Sequence, residues 1–386
     1  MSLLITSGAV LIDDELQARD LLLADGVIAD SAESGARRFD AGGLLVLPGI
    51  IDIHGDAHER QLQPRPGVAF SPLLALQETE RQMLASGITT GFLGITLSWE
   101  PGLRSAETWR MLLDALAAQE WTCDMRVHLR WEACNLGSLG TALAAIEAGR
   151  VQMVGFNDHT PAINRALPDP AKASKYIERS CVDGEAFRAA ALAASERAPD
   201  APGGIAAIAA ACRAHCVPIA SHDDPDIATR DERRVQGAHI CEFPMAQAVA
   251  EAARVASDTV VMGCPNVLRG RSHLGWASAA RLAEAGVCTV LCSDYYHPAM
   301  APAAMVLARG KLGLPQAWSL IAGAAADAAR LVDRGRLKPG LRADITLVDE
   351  DNRSVVATIV RGQVAWLAPK AASRLDSPRR MPRLLR

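Results

Sequence analysis

Hydrophobic positions change their period twice along the chain. From Leu3 to about Leu47, short apolar runs alternate with turn residues: Val10-Leu11-Ile12, then Asp20-Leu21-Leu22-Leu23 and Val27-Ile28-Ala29 around Asp25-Gly26. Runs of this length about an Asp-Gly pair predict hairpin strands. The same grammar returns in residues 340–348, and in two runs around Arg361-Gly362 within residues 355–366. The two ends are expected to form one small β-domain with the middle inserted between them. Two unrelated β-appendages remain open as the alternative.

In the middle, apolar runs at 50–54, 88–95, 125–132, 151–157, 217–221, 239–243, 259–262 and 287–292 alternate with Ala/Leu-rich stretches of helical period. The helical stretches include 74–85, 106–119, 139–148, 184–193, 204–215, 245–255 and 277–285. Strands alternating with helices predict a parallel sheet with crossover helices. Eight such units suit a (β/α)8 TIM-like barrel, with the carboxyl ends of its strands forming the active face. A doubly wound open sheet stays open, although no Gly-x-Gly-x-x-Gly follows a strand. The expected division is a β-sandwich from residues 1–47 and 340–370, a barrel over 48–339 and a basic tail over 371–386.

Composition narrows the class. The 386 residues are 49% apolar and 22% charged, which excludes a wholly disordered chain. A net charge of -4 gives no electrostatic case for nucleic acid. No apolar run is long enough for a membrane span, and Met1–Thr6 lacks a signal peptide's basic start. Nine Cys without a Cys-x-x-Cys pair fit reduced thiols, so a cytoplasmic protein is expected. Cys212 to Cys216, with His215, lies in a helical stretch and reads as structural. The basic run Pro378–Arg383 reads as a frayed terminus.

Chemistry gathers at the strand ends. The first run closes on His54-Gly55-Asp56, and alternation aims both polar side chains to one side. The others close on His128, Arg130 and Glu132; on Asn157-Asp158-His159; on Ser221-His222-Asp223-Asp224; on Glu242; and on Ser293-Asp294-Tyr295. The seventh run leads into Pro265-Asn266 and then Arg269 to His273. Carboxylates gathered in a buried mouth need partners to offset desolvation, and a metal is the simplest shared one. An Asp/His set without thiolate suits one or two divalent ions, Zn²⁺ ahead of Mn²⁺ or Fe²⁺.

These residues resemble the amidohydrolase superfamily. The motifs carrying the resemblance are Leu47-Pro48-Gly49-Ile50-Ile51-Asp52-Ile53-His54, Gly87-Ile88-Thr89-Thr90, Asp294 and Lys338-Pro339-Gly340-Leu341-Arg342-Ala343-Asp344. His-x-Asp on the first strand is similar to the PhnM branch, which belongs to phosphonate breakdown by carbon–phosphorus lyase. Pro64-Arg65-Pro66, Asp158-His159-Thr160-Pro161 and Glu242-Phe243-Pro244 also match it. The resemblance implies a diphosphohydrolase that cuts α-D-ribose 1-methylphosphonate 5-triphosphate to the 5-phosphate and pyrophosphate.

It also implies His54 and Asp56 at a first metal, a bridging acid such as Glu132, His222 and Glu242 at a second metal, and Asp294 on metal and proton. Asp158 and His159 join the candidate ligands, and His222 and His273 join Asp294 as candidate catalytic groups. Arg65, Arg130, Arg269, Arg271, His128, Asn266 and Tyr295 are the expected contacts to a phosphorylated small molecule. The protein is expected to need neither nucleic acid nor membrane, and a homo-oligomer is compatible with the reading.

Departures from the branch fall on the pocket wall. They include Gly55, His58, Trp131, Asn157, Ala162, Met245-Ala246, Arg271 and Leu274-Gly275-Trp276. Two alternatives follow: a carbon–nitrogen hydrolase of cyclic amides, lactams or N-acyl compounds, and a catalytically silent subunit.

Overall fold

All eight apolar runs of the middle become parallel strands in the computed structural model, which describes residues 2–30, 35–270 and 275–376. They are β1 (Ile50–Gly55), β2 (Ile88–Leu97), β3 (Asp124–Glu132), β4 (Met153–Asn157), β5 (Ile219–His222), β6 (Ile240–Glu242), β7 (Thr259–Gly263) and β8 (Val290–Cys292). Each pairs with the next in sequence order. The ring meets itself where Gly55 bridges Asp294: the Asp294 amide donates to the His54 carbonyl at 3.0 Å, and the Asp56 amide donates to the Asp294 carbonyl at 2.9 Å. The open-sheet alternative is thereby excluded.

Helices between the strands start where side chains can take the first free amides. Ser71 accepts from the Leu74 amide ahead of Pro72–Ala85, Asp183 caps Gly184–Glu196 and Asp226 caps Ile227–Val235. After β4 the chain makes a three-helix excursion (Thr160–Ala166, Pro170–Ser180, Gly184–Glu196) with its own small core of Ile163, Leu167, Ala173, Phe187 and Ala191. Arg179 ties it back by donating to Glu100 at 2.9 Å.

The barrel interior has two layers. Ile51, Ile53, Phe92, Met153, Ala220, Ile240, Val261, Val290 and Cys292 form an apolar plug. The polar mouth rests on it. Strict alternation along β1 would set Ile53 and His54 on opposite faces, yet both serve the interior. The register against β2 shifts between Asp52 and Gly55, and this irregularity re-aims the strand end.

The two chain ends form two sheets. One runs Gln363–Leu367, Ser354–Val360, Ile345–Asp349, Leu45–Pro48, Ala9–Ile12, Glu15–Ala18; the other runs Val27–Ala29, Leu21–Ala24, Leu3–Thr6, Arg37–Asp40. Leu45–Pro48 lies between Ala9–Ile12 and Ile345–Asp349, pairing with one on each side, so the two chain ends are not separate appendages. A shared core includes Ile5, Val10, Phe39, Val46, Leu347 and Ile359. Thr346 and Thr358 donate to the Gly87 and Leu84 carbonyls at 2.8 and 2.6 Å, and Trp318 donates to that of Pro48 at 2.9 Å, pinning the sandwich to the barrel.

The first part of the expected tail is not free. Pro369–Arg374 is a 3-10 helix, Leu375 bridges Phe39, and Arg374 donates to the Asp40 and Gly42 carbonyls at 3.1 and 2.9 Å. The basic run Pro378–Arg383 lies outside the described residues. Among the described residues no helix is long and apolar enough to cross a membrane. Seven of the nine free cysteines are buried, Cys181 and Cys216 being exposed.

Candidate metal centre and active site

Three buried side chains meet directly above the plug. His54 and Glu242 come from the ends of β1 and β6 and His128 from the middle of β3, and their ligand atoms lie within 4.8 Å of one another. His54 Nδ1 is 3.1 Å from Glu242 Oε2. His128 Nδ1 is 3.1 Å from the Ile53 carbonyl, which can only accept, so Nδ1 carries the proton and Nε2 keeps its lone pair. That Nε2 and Glu242 Oε1 are buried without a hydrogen-bond partner. Gly155 leaves room for the ring, since a Cβ there would lie 2.8 Å from His128 Nε2.

Burial drives this trio toward its uncharged forms. It pulls His54 down to about 4, with the charge of Arg130 acting the same way, and His128 down to about 4 against the pull of Glu242. It pushes Glu242 up to about 7. Two neutral imidazoles and a carboxylate with orphaned atoms fit a divalent cation, which would relieve each penalty at once.

Around this floor stands a better-satisfied rim. Arg130, only 4% exposed, donates to Asp56 Oδ2 at 3.1 Å and to His222 Nε2 at 3.0 Å. His222 Nδ1 lies 3.4 Å from Glu242 Oε2. His159 Nδ1 and its amide bind the two oxygens of Glu132. Burial opposes charge on both, but their mutual attraction prevails, holding His159 at about 9 and Glu132 at about 2. Asp294, in the left-handed region with φ 56°, faces the same pocket. Burial, reinforced by Asp56, pushes its carboxyl up to about 8.

Other expected site residues have different places. His128, expected at the substrate rim, is fully buried on the floor. Glu132, expected to bridge metals, is engaged with His159. Asp158 is exposed on the strand-end loop and Arg65 on a loop outside the pocket lining. Arg269, Tyr295 and Asn266 line the pocket, but the Asn266 amide holds its own loop, donating to the Ala277 carbonyl at 3.0 Å and accepting from the Ala279 amide at 3.1 Å. Arg271 and His273 lie outside the described residues.

The geometry adds residues that sequence reasoning passed over. Asp223 lines the pocket and groups with His159 and His222 within 4.8 Å; its place in the His222-Asp223-Asp224 run was the available signal. Asp52 is buried behind the site and accepts from the Ser293 amide at 2.9 Å and its hydroxyl at 2.6 Å, fixing the turn that carries Asp294. Phe243 packs edge-on against His54 and His222, 5.0 and 5.2 Å between ring centres.

No family model matches the sequence. A protein of Escherichia coli (strain K12) named alpha-D-ribose 1-methylphosphonate 5-triphosphate diphosphatase is 30% identical over 370 residues, covering 92% of this chain and 97% of the relative. A dihydroorotase of Geobacter sp. (strain M21) is 38% identical over 79 residues, 18% of each chain. Among solved structures, N-isopropylammelide isopropylaminohydrolase from Burkholderia multivorans has a TM-score of 0.63 at 17% identity, covering 94% of this chain and 98% of that one. Molinate hydrolase has a TM-score of 0.63 at 13% identity and covers 94% of each. At these identities the structural matches speak for the fold.

Proposed function

Because the chain belongs to the PhnM family of the amidohydrolase superfamily, we propose that it is a diphosphohydrolase acting on a ribose 5-triphosphate bearing a 1-phosphonate. The observation that carries this reading is a relationship spanning nearly the full length of both chains. The pocket supports it, since Arg130 and Arg269 line the same pocket as Asp294 and offer guanidinium groups to phosphoryl oxygens.

His54, His128 and Glu242 would hold a divalent ion. Such an ion supplies Lewis acidity, lowering the pKa of water from 15.7 to about 7 and neutralising phosphoryl charge. The chain's own residues do the rest. Arg269 binds the polyphosphate at the mouth, and Arg130, fixed by Asp56 and His222, donates from below. Asp294 takes the proton of the attacking water at its carboxylate. As the water oxygen bonds to the α-phosphorus, the bond from that phosphorus to the bridging oxygen breaks. Its electron pair leaves with pyrophosphate, and Asp294 returns the proton to solvent or to the leaving group.

The test is phosphorus NMR of metal-loaded protein with α-D-ribose 1-methylphosphonate 5-triphosphate. Stoichiometric pyrophosphate and the 5-phosphate are expected. A protein that leaves this triphosphate intact while turning over cyclic amides or N-acyl compounds would instead be a carbon–nitrogen hydrolase.

A further inference from the structure

The mouth contains two places where a cation would be stabilised, and the chain itself fills one of them. Between Asp56, just after β1, and His222 on β5 lies the Arg130 guanidinium, with Nη1 3.1 Å from Asp56 Oδ2 and Nη2 3.0 Å from His222 Nε2. In the orientation that satisfies both ends of its amide, Asn157 adds an oxygen 3.3 Å from Nη2. We propose that this chain binds a single divalent ion, among His54, His128 and Glu242, and that Arg130 stands permanently where a second ion would sit.

The argument is one of lone pairs. A guanidinium has only donors and does not lose its proton, so every group facing it must accept. His222 therefore presents the Nε2 lone pair to Arg130 and carries its proton on Nδ1, 3.4 Å from Glu242 Oε2. Neither ring nitrogen is left to ligate an ion. Asp56 turns one oxygen to the same guanidinium. In the neighbouring group of His159, His222 and Asp223, His159 Nδ1 is engaged by Glu132 and its Nε2 faces Asp223 Oδ2 at 3.8 Å.

The floor is the opposite case. His128 Nε2 and Glu242 Oε1 are buried with nothing to bind. Two imidazoles and one carboxylate with an open fourth position is a ligand set that suffices for one catalytic ion. Arg130 then acts as a fixed positive charge that also supplies directed hydrogen bonds to the substrate.

This inference rests on the metal-hydrolase reading above, and counting ions separates the two. Protein stripped with a chelator, reloaded with excess Mn²⁺ and desalted is assayed by elemental analysis and electron paramagnetic resonance. One Mn²⁺ per chain with the spectrum of an isolated ion is expected. Arg130→Gln, which opens the gap between Asp56 and His222, is expected to take up two ions with a spin-coupled spectrum, and Arg130→Lys to stay at one. Two ions in the unaltered chain would overturn the inference and leave the hydrolase reading standing. None would overturn the hydrolase reading itself. Arg130→Gln remaining at one would overturn the role given to Arg130. The count on the unaltered chain decides the stoichiometry even where a variant does not fold.

Discussion

His128 and His222 rise from strands of the same barrel, and both belong to the mouth, yet they keep different company. His128 is wholly buried with its Nε2 lone pair unmatched, beside a Glu242 oxygen in the same state. His222 has a donor on Nε2 and an acceptor near Nδ1. Polar atoms that are matched within the chain need nothing more, whereas orphaned ones mark where something from outside belongs. Under the proposed function floor and rim would do different work: the floor would hold the ion, and the rim would hold substrate and move the proton.

That division is open to attack at both levels. Glu242→Gln keeps the shape of the floor but removes its negative charge; metal content is expected below about a tenth of an ion per chain, with kcat reduced on the order of 10³-fold or more. Asp294→Asn on the rim should lower kcat by roughly 10²–10⁴-fold while metal content is unchanged, which would separate proton handling from ion binding. Gly155→Ala replaces no ligand, but its Cβ would meet His128 Nε2 at 2.8 Å. A metal affinity weakened about 10–100-fold by isothermal titration is the expected result. Arg269→Ala at the outer rim should raise KM for the triphosphate about tenfold, with kcat nearly kept.

The smallest effect concerns a pair beside the mouth. Burial pushes the Glu59 carboxyl up, but Arg104, bonded to both its oxygens at 2.8 and 2.9 Å, outweighs this and holds it at about 2, below the usual 4.5. A carboxyl depressed by folding contributes stability that is full above pH 4.5 and is lost as pH falls toward 2. Glu59→Gln should therefore lower the melting temperature at pH 7 and flatten its decline in that acid window.

The fold was legible because its signals are periodic. Eight apolar runs and the helical stretches between them required only alternation and spacing, and the structure places a strand at each run. Glu15–Ala18 and Arg37–Asp40 were not singled out, since both are largely exposed strands at sheet edges with few apolar residues to mark them. At the site, His54, His222, Asp294 and Glu242 could be nominated from their positions at strand ends. What a linear pattern could not show is which polar residues would satisfy one another. Arg130 is three-dimensionally between Asp56 and His222, Glu132 is turned to His159, and His128 lies beneath the rim; each depends on side-chain reach across different strands. Even His54 owes its direction to a register shift that a two-residue period does not anticipate.

Anomalous diffraction from crystals loaded with Zn²⁺ tests the central claim most directly. The expected map has one peak per chain, about 2.0–2.2 Å from ligand atoms of His54, His128 and Glu242, with Arg130 still bridging Asp56 and His222. A peak between Asp56 and His222 with Arg130 displaced, or no peak on the floor at all, would contradict it.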